Sequence, residues 1–251
     1  TDKCIHWKEV FPVFTPDQED DSQGISKFGF IRLLNQFLKR DSVVVTDAGA
    51  TTEFPMQGLF YTTRQQRYIG SAEQCEMGYA LPAAVGVSIA RGKRETLCIV
   101  GDGSLQMNLQ ELQTCVTQKL PAKIFVWNNG GYGTIRGHQK TIFKGRFVGV
   151  DPESGTAFPP LDKIADAYGI RYYQAKTLAE LEAVIPKVLA EEGPVLCEVF
   201  CWKEEANPMV KAKYARPDGS RIALPPEDMF PPVSRELFES EMLIEPIRWW
   251  E

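Results

Sequence analysis

Short apolar, β-branched runs alternate with stretches of helical periodicity along most of the chain. Val43–Thr46, Thr96–Val100, Lys123–Trp127, Ile170–Gln174 and Val195–Cys201 have the length and composition of buried strands. Between them, apolar residues recur at three- and four-residue spacing. Phe30, Ile31, Leu33, Leu34, Phe37 and Leu38 predict a helix over 26–40, with Ser26 as its cap. Leu105, Leu109, Leu112, Cys115 and Val116 predict a second that stops at Leu120-Pro121. A small-residue helix is expected over 79–90, and two more over 161–168 and 178–191. Strand, helix and strand in one sheet make a parallel, right-handed unit, so the fold class is α/β: three layers, a mostly parallel central sheet and helices on both faces.

The ends of the chain break this pattern. Residues 1–24 carry Trp7, Phe11 and Phe14 but finish in the acidic run Gln18–Ser22, which reads either as a linker segment over a neighbouring surface or as a disordered terminus. Residues 25–205 form the α/β domain. Residues 206–251 shift in composition, with Pro217, Pro225, Pro226, Pro231, Pro232 and Pro246, and read as an extended tail: an active-site lid, a partner clasp or an inert extension. The pair Trp249 and Trp250 suggests packing against something.

Composition removes several function classes. A net charge of −5, with the basic residues scattered, gives no footprint for nucleic acid. The apolar runs are strand-length and interrupted, so neither a membrane span nor a signal peptide is expected. The six cysteines form no CxxC pair, and the only histidines are His6 and His138. Reduced core thiols in a cytoplasmic protein fit better than disulfides or zinc.

The chemistry concentrates where two strands end. Gly101-Asp102-Gly103 closes one, and Asn128-Asn129 closes the next after a spacer of 24 residues. In a parallel unit both motifs emerge at neighbouring carboxyl ends, where ligands of open α/β sheets bind. Asp102 offers a hard anionic oxygen and Asn129 a neutral one; with a carbonyl from the Gly130-Gly131 turn they suit Mg2+. Gly101 and Gly103 let backbone approach a phosphate, and the amides of Gly103 and Ser104 with the Ser104 hydroxyl favour an anion. Asp47–Thr52 is a further small-residue turn, either a phosphate loop or an ordinary strand-to-helix connection.

Gly101–Ser104, the spacer and Asn128-Asn129 resemble the pattern of thiamine-diphosphate enzymes, and residues 41–202 resemble the diphosphate-binding (PP-type) domain of the acetolactate synthase and pyruvate decarboxylase group. The resemblance implies thiamine diphosphate and Mg2+ as cofactors. It implies Asp102, Asn129 and the Gly131 carbonyl as metal ligands, and Gly49, Ala50 and Thr51 near the diphosphate with Gly101, Gly103 and Ser104. It implies Tyr132, Gly133 and Thr134 beside the cofactor. The loop 68–78 then supplies the Cys75 carbonyl and the Met77 amide to the aminopyrimidine, and the Met77 side chain as a wedge that bends the cofactor. Cys75 stands where relatives usually have Gly, and no thiol chemistry is expected of it.

Departures from the family shape the functional expectation. Relatives that are acetohydroxyacid synthases commonly have Trp at the position of His138, where it helps select the acceptor. His138 and Arg136 are therefore candidate acceptor contacts, His138 as a proton donor or as an idle surface residue. Pro225–Phe230 resembles a C-terminal segment of acetolactate synthase-like enzymes from sugar and polysaccharide gene clusters. The glutamate that activates the cofactor's N1' belongs, in relatives, to a separate pyrimidine-binding domain, which residues 1–251 do not contain; Glu73 and Glu76 lie on the wrong motif. The expectation is a split enzyme or a fragment, inactive alone. It would decarboxylate a 2-oxo acid such as pyruvate and transfer the acyl carbanion to a carbonyl acceptor, paired with a pyrimidine-domain subunit in a heterotetramer. Competing readings are a non-ligating decarboxylase and a non-catalytic scaffold; a dinucleotide oxidoreductase is disfavoured by the lack of GxGxxG after a strand.

Overall fold

A computed structural model describes residues 2–12, 14, 16–49, 51, 58, 65–71, 74–205, 213–216, 218–228 and 233–248. The chain divides into two compact units, Thr1–Glu205 and Ala206–Glu251.

The first unit is built on six parallel strands: β1 (Val43–Thr46), β2 (Arg67–Ile69), β3 (Thr96–Gly101), β4 (Ala122–Asn128), β5 (Arg171–Ala175) and β6 (Val195–Phe200). Their order is β2-β1-β3-β4-β6-β5. The chain winds to one side of β1 through β2 and to the other through β3, so the strand order reverses beside β1, the position where open α/β sheets bind ligands. Register pairs Gly101 with Trp127, which brings the ends of β3 and β4 level.

Alternation along the strands feeds two cores. Leu97, Ile99, Phe125, Trp127, Cys197 and Val199 face α2 (Lys27–Phe37) and the helix Leu178–Ala190. Cys98, Val100, Ile124, Val126 and Leu196 face the opposite way, onto the helices Ala80–Ala90, Glu111–Thr117 and Leu161–Ala167. In chain order, with α1 (Asp2–Val10) at the start, these are α3 (Ala80–Ala90), α4 (Asp102–Leu105), α5 (Glu111–Thr117), α6 (Gly133–Ile142), α7 (Leu161–Ala167) and α8 (Leu178–Ala190). The sheet therefore has a helical layer on each face. Phe30 meets Phe125 and Trp127 edge-on, each at 5.4 Å between centroids. Such pairs contribute about 0.5–1.5 kcal/mol beyond their burial.

Local signals explain the boundaries. Ser26 caps α2, accepting from the Gly29 amide at 3.4 Å. The helix expected across 105–116 is divided into α4, a 3-10 turn over Gln106–Asn108, and α5. At the start of the chain the structure has a helix, α1, with no buried residue. Only Lys3, Trp7 and Val10 are partly covered, and a helix so largely exposed carries little apolar periodicity.

The second unit is not extended throughout. It contains an antiparallel hairpin, β7 (Lys213–Ala215) with β8 (Arg221–Ala223), and a helix, α9 (Arg235–Glu241). Ser234 caps α9, and Arg235 clamps the carboxylate of Asp228 through both of its oxygens. Trp249 and Trp250 lie outside the described residues. Among the described residues no helix is long and apolar enough to cross a membrane, and all six cysteines are free thiols, four of them buried.

Candidate cofactor and metal site

The loops leaving β1, β3 and β4 meet at the carboxyl edge of the sheet. β3 ends by running directly into α4, so Asp102 is the first helical residue, buried at 4 % exposure. Its Oδ1 accepts from the Gly103 amide at 2.8 Å and its Oδ2 from the Gly131 amide at 2.9 Å. Burial pushes its carboxyl up to about 6, against the opposing pull of the Gly131, Gly103 and Gly130 amides and of Arg136. A carboxylate held this way is one that a cation would stabilise.

The turn after β4 is shaped to present oxygen atoms. Gly130 and Gly131 have φ of +70° and +136°, and a Cβ on Gly131 would lie 2.1 Å from the Val150 carbonyl oxygen. Only glycine fits there. Asn128 turns inward and accepts from the Gly130 amide at 2.9 Å. Asn129 is left partly exposed, and its side-chain amide has no hydrogen bond among the described residues. Gly133 makes room for it, since a Cβ there would come within 2.6 Å of the Asn129 Nδ2. The Gly131 carbonyl accepts from the Gly133 amide at 3.1 Å and keeps a second lone pair.

This donor set fits a small hard cation: one carboxylate, one amide and one backbone carbonyl, with room for water and phosphate oxygens. Among the described residues no group of three or more His, Cys, Asp or Glu could hold a metal. The anion half fits too. Ser104 is buried, and its hydroxyl has no hydrogen bond among the described residues. A Cβ on Gly101 would meet nothing closer than the Thr51 methyl at 3.9 Å, so the protein leaves open the space in front of that backbone.

The two glycines of the Gly-Asp-Gly motif serve different ends. At Gly103 a Cβ would lie 2.3 Å from the Tyr132 ring and 2.9 Å from Phe158, so its missing side chain admits an aromatic pair packed edge-on at 5.4 Å. The Gly49 loop reaches the same place: Gly49 has φ +58°, and its absent Cβ leaves room for the Thr134 hydroxyl, 2.9 Å from where it would stand. Thr51 is buried, and its hydroxyl donates to the Ala48 carbonyl at 2.8 Å. That hydrogen is therefore spent within the loop. Ala50 lies outside the described residues, as does Glu73.

Asp47 ties the loops together, a role the sequence did not announce. Fully buried at the end of β1, it accepts from the Ala48 amide at 2.8 Å and from the Gly78 amide at 3.2 Å. Gly78 in turn offers its carbonyl to Asn108 at 2.7 Å. Met77 is thereby displayed rather than packed, at 37 % exposure, which excludes an ordinary core role. Cys75 is exposed with φ +50°, a left-handed conformation that glycine adopts without strain.

Arg136 does not sit where an acceptor contact requires. It is buried at 2 % exposure inside the first turn of α6, where it donates to the carbonyls of Lys203 (2.8 Å), Gly130 (3.2 Å) and Val150 (3.4 Å) and lies 3.4 Å from the Asp151 carboxylate. The guanidinium clamps the Gly130-Gly131 turn from behind. His138 is exposed on α6, with Ile135 half exposed beside it.

Residues 47–199 match the model of the thiamine pyrophosphate enzyme C-terminal TPP binding domain. The chain belongs to the thiamine pyrophosphate enzymes. Its cofactor is thiamine diphosphate, which these enzymes use with a divalent metal such as Mg2+. The acetolactate synthase large subunit of Porphyra purpurea is 33 % identical over 209 residues, covering 82 % of this chain and 34 % of that protein. Acetolactate synthase isozyme 2 large subunit of Escherichia coli K12 is 35 % identical over 170 residues, covering 66 % of this chain and 30 % of that protein. The chain thus spans about a third of the length of the curated relatives it matches. Among solved structures, a Rhodococcus jostii thiamine diphosphate-dependent 4-hydroxybenzoylformate decarboxylase aligns with a TM-score of 0.65 at 26 % identity, over 74 % of this chain and 34 % of that one. The matched thiamine-pyrophosphate-binding region spans the Asp47 loop, the Gly-Asp-Gly motif, the Asn-Asn motif and β6, so it contains all the oxygen donors described above.

Proposed function

We propose that this chain is the diphosphate- and metal-binding part of an acetolactate synthase-like carboligase. The reaction decarboxylates a 2-oxo acid, pyruvate in the first instance, and transfers the acyl carbanion to a carbonyl acceptor. The observation that carries this reading is the convergence of the buried Asp102, the unengaged Asn129 amide and the glycine turn at one sheet edge. Asp102, Asn129 and the Gly131 carbonyl would hold Mg2+. Ser104, the Gly101 backbone and the Gly49–Thr51 loop would hold the diphosphate, with Tyr132, Gly133 and Thr134 alongside. The Cys75 carbonyl and Met77 amide would meet the aminopyrimidine, and the Met77 side chain would impose the bent shape. Bound thiamine diphosphate supplies the nucleophilic carbon and the electron sink for loss of CO2. The protein orients it, neutralises its charge and keeps water away.

His138, exposed on α6, is the remaining candidate for acceptor contact. The glutamate for N1' would come from a pyrimidine-binding domain, supplied by a second subunit in a cytoplasmic heterotetramer. The likeness to a decarboxylase of known structure supports a second reading, a 2-oxo acid decarboxylase without ligation.

Pyruvate turnover with thiamine diphosphate and Mg2+, measured for this chain alone and with a pyrimidine-domain protein co-expressed, tests the proposal. Acyloin formed only by the pair is expected. Aldehyde as sole product would replace carboligase by decarboxylase, and turnover by the chain alone would overturn the two-part arrangement.

A further inference from the structure

Three side chains from adjacent strands form a polar diagonal on one face of the sheet, with a buried carboxylate at its centre: Tyr172 on β5, Glu198 on β6 and Asn128 at the end of β4, the outer two partly exposed. Glu198 pairs in register with Val126, and Tyr172 with Leu196, so each member is offset by two residues from its neighbour along the strands. Glu198 is 6 % exposed. One of its oxygens accepts from the Asn128 amide nitrogen at 2.5 Å and the other from the Tyr172 hydroxyl at 2.5 Å. Among the described residues no cation is paired with it. Burying a carboxylate without a counter-charge is costly, and an apolar side chain would pack this position at no such cost.

The geometry points to Glu198 as a positioning residue for the metal-binding turn, acting through Asn128. An amide side chain can present either its oxygen or its nitrogen to a neighbour. Glu198 only accepts, so it draws the Asn128 nitrogen, and the Asn128 oxygen is left facing the Gly130 amide, from which it accepts at 2.9 Å. That bond sets the turn carrying Asn129 and the Gly131 carbonyl. Tyr172 holds the second carboxylate oxygen and fixes the rotamer. The inference rests on the reading that this turn binds a divalent cation.

Glu198→Gln is nearly isosteric but can offer its nitrogen to the Asn128 oxygen, which would turn the Asn128 nitrogen onto the Gly130 amide. Asn128→Asp combined with Glu198→Gln restores one arrangement. The carboxylate now at position 128 accepts from the Gly130 amide and from the side-chain nitrogen now at position 198, whose amide oxygen accepts from Tyr172, and the charge of the pair is unchanged. Mn2+ binding to the full chain with thiamine diphosphate, followed by electron paramagnetic resonance alongside thermal melting without metal, provides the test. For Glu198→Gln we expect Mn2+ affinity about 10-fold weaker or more, a nearly unchanged melting temperature, and recovery of affinity in the double variant. Wild-type affinity in Glu198→Gln, with binding abolished in Asp102→Asn, would overturn the role of Glu198 and leave the site standing. A double variant as weak as Glu198→Gln would also overturn it. Equal Mn2+ binding by wild type and Asp102→Asn would overturn the reading of the site itself, and the inference with it.

Discussion

The two ends of the central sheet both bury charge, and they treat it differently. At the amino end the buried Lys123, 1 % exposed, donates to the carbonyls of Glu191 and Gly193, and nearer the surface Asp41 is paired with Arg91 and Arg94. Each charge there is absorbed by the protein. At the carboxyl end Asp102 faces backbone amides, and the Asn129 amide and Ser104 hydroxyl have no hydrogen bond among the described residues. The clefts lined by Arg91 and Arg94, or by Lys119 and Glu191, lie at the amino end. What marks a binding edge is therefore unspent polar capacity rather than hollowness or charge alone.

Two substitutions separate the ends most sharply. Asp102→Asn should weaken Mn2+ binding by more than about 100-fold, because even groups standing behind a metal ligand are worth about 10–100-fold. Calorimetric titration would read this directly, and retained binding would sink the assignment of Asp102. Lys123→Met should do the reverse. It leaves the Glu191 and Gly193 carbonyls without their donor, at a cost of about 1–3 kcal/mol, while Mn2+ affinity stays as in wild type. Chemical denaturation together with the same titration checks both halves.

Asp47 tests whether burial at the carboxyl edge is itself a strain. Burial raises its carboxyl above the ordinary range, against four backbone amides that lower it. A raised folded-state value means that the folded protein holds this proton more tightly than the unfolded chain does. The penalty of the ionised form is absent at pH below the unfolded value of about 3.9 and complete above the raised folded value. Relative to Asp47→Asn, the wild type should therefore lose stability as pH rises through that window. Melting curves of both proteins from acid to neutral pH give the sign; a constant difference, or one moving in favour of wild type, would refute it.

How far the sequence foretold this arrangement depended on the range of the interaction. β1, β3, β4 and β6 were legible because each is a buried, β-branched run. β2 was not, since Arg67–Ile69 is three residues long and partly exposed. Asp102 and Asn129 were legible as a pair because the parallel unit that joins them lies in one continuous stretch. Arg136 was misjudged: a cation beside a site reads as a ligand contact, whereas its partners are carbonyls at 130, 150 and 203, which only the fold brings together. Asp47, Glu198 and Tyr172 gave no signal for the same reason. Within the tail, the hairpin lacks any long apolar run, so proline content alone suggested an extended chain.

The smallest test concerns backbone strain, which both ends also carry. Lys119 has φ +51° just after Gln118, the cap of α5, where Leu120 donates to the Cys115 carbonyl at 2.9 Å and closes the helix. Left-handed residues commonly terminate helices this way. Cys75 has φ +50° in the loop that displays Met77, and its amide donates to the Ser71 carbonyl at 2.7 Å. A non-glycine residue gives up about 1–2 kcal/mol in this conformation, and glycine gives back about 0.5–1 kcal/mol through the greater freedom of its unfolded chain. Lys119→Gly and Cys75→Gly should each therefore stabilise by about 0.5 kcal/mol. Cys75→Val should destabilise by about 1 kcal/mol or more, because a β-branched side chain tolerates left-handed backbone least. Only the Cys75 series should also move the affinity for thiamine diphosphate, since of the two positions only Cys75 lies in a loop proposed to meet the cofactor. Equal affinities for wild type, Cys75→Gly and Cys75→Val would make the strain at Cys75 as incidental to binding as that at Lys119.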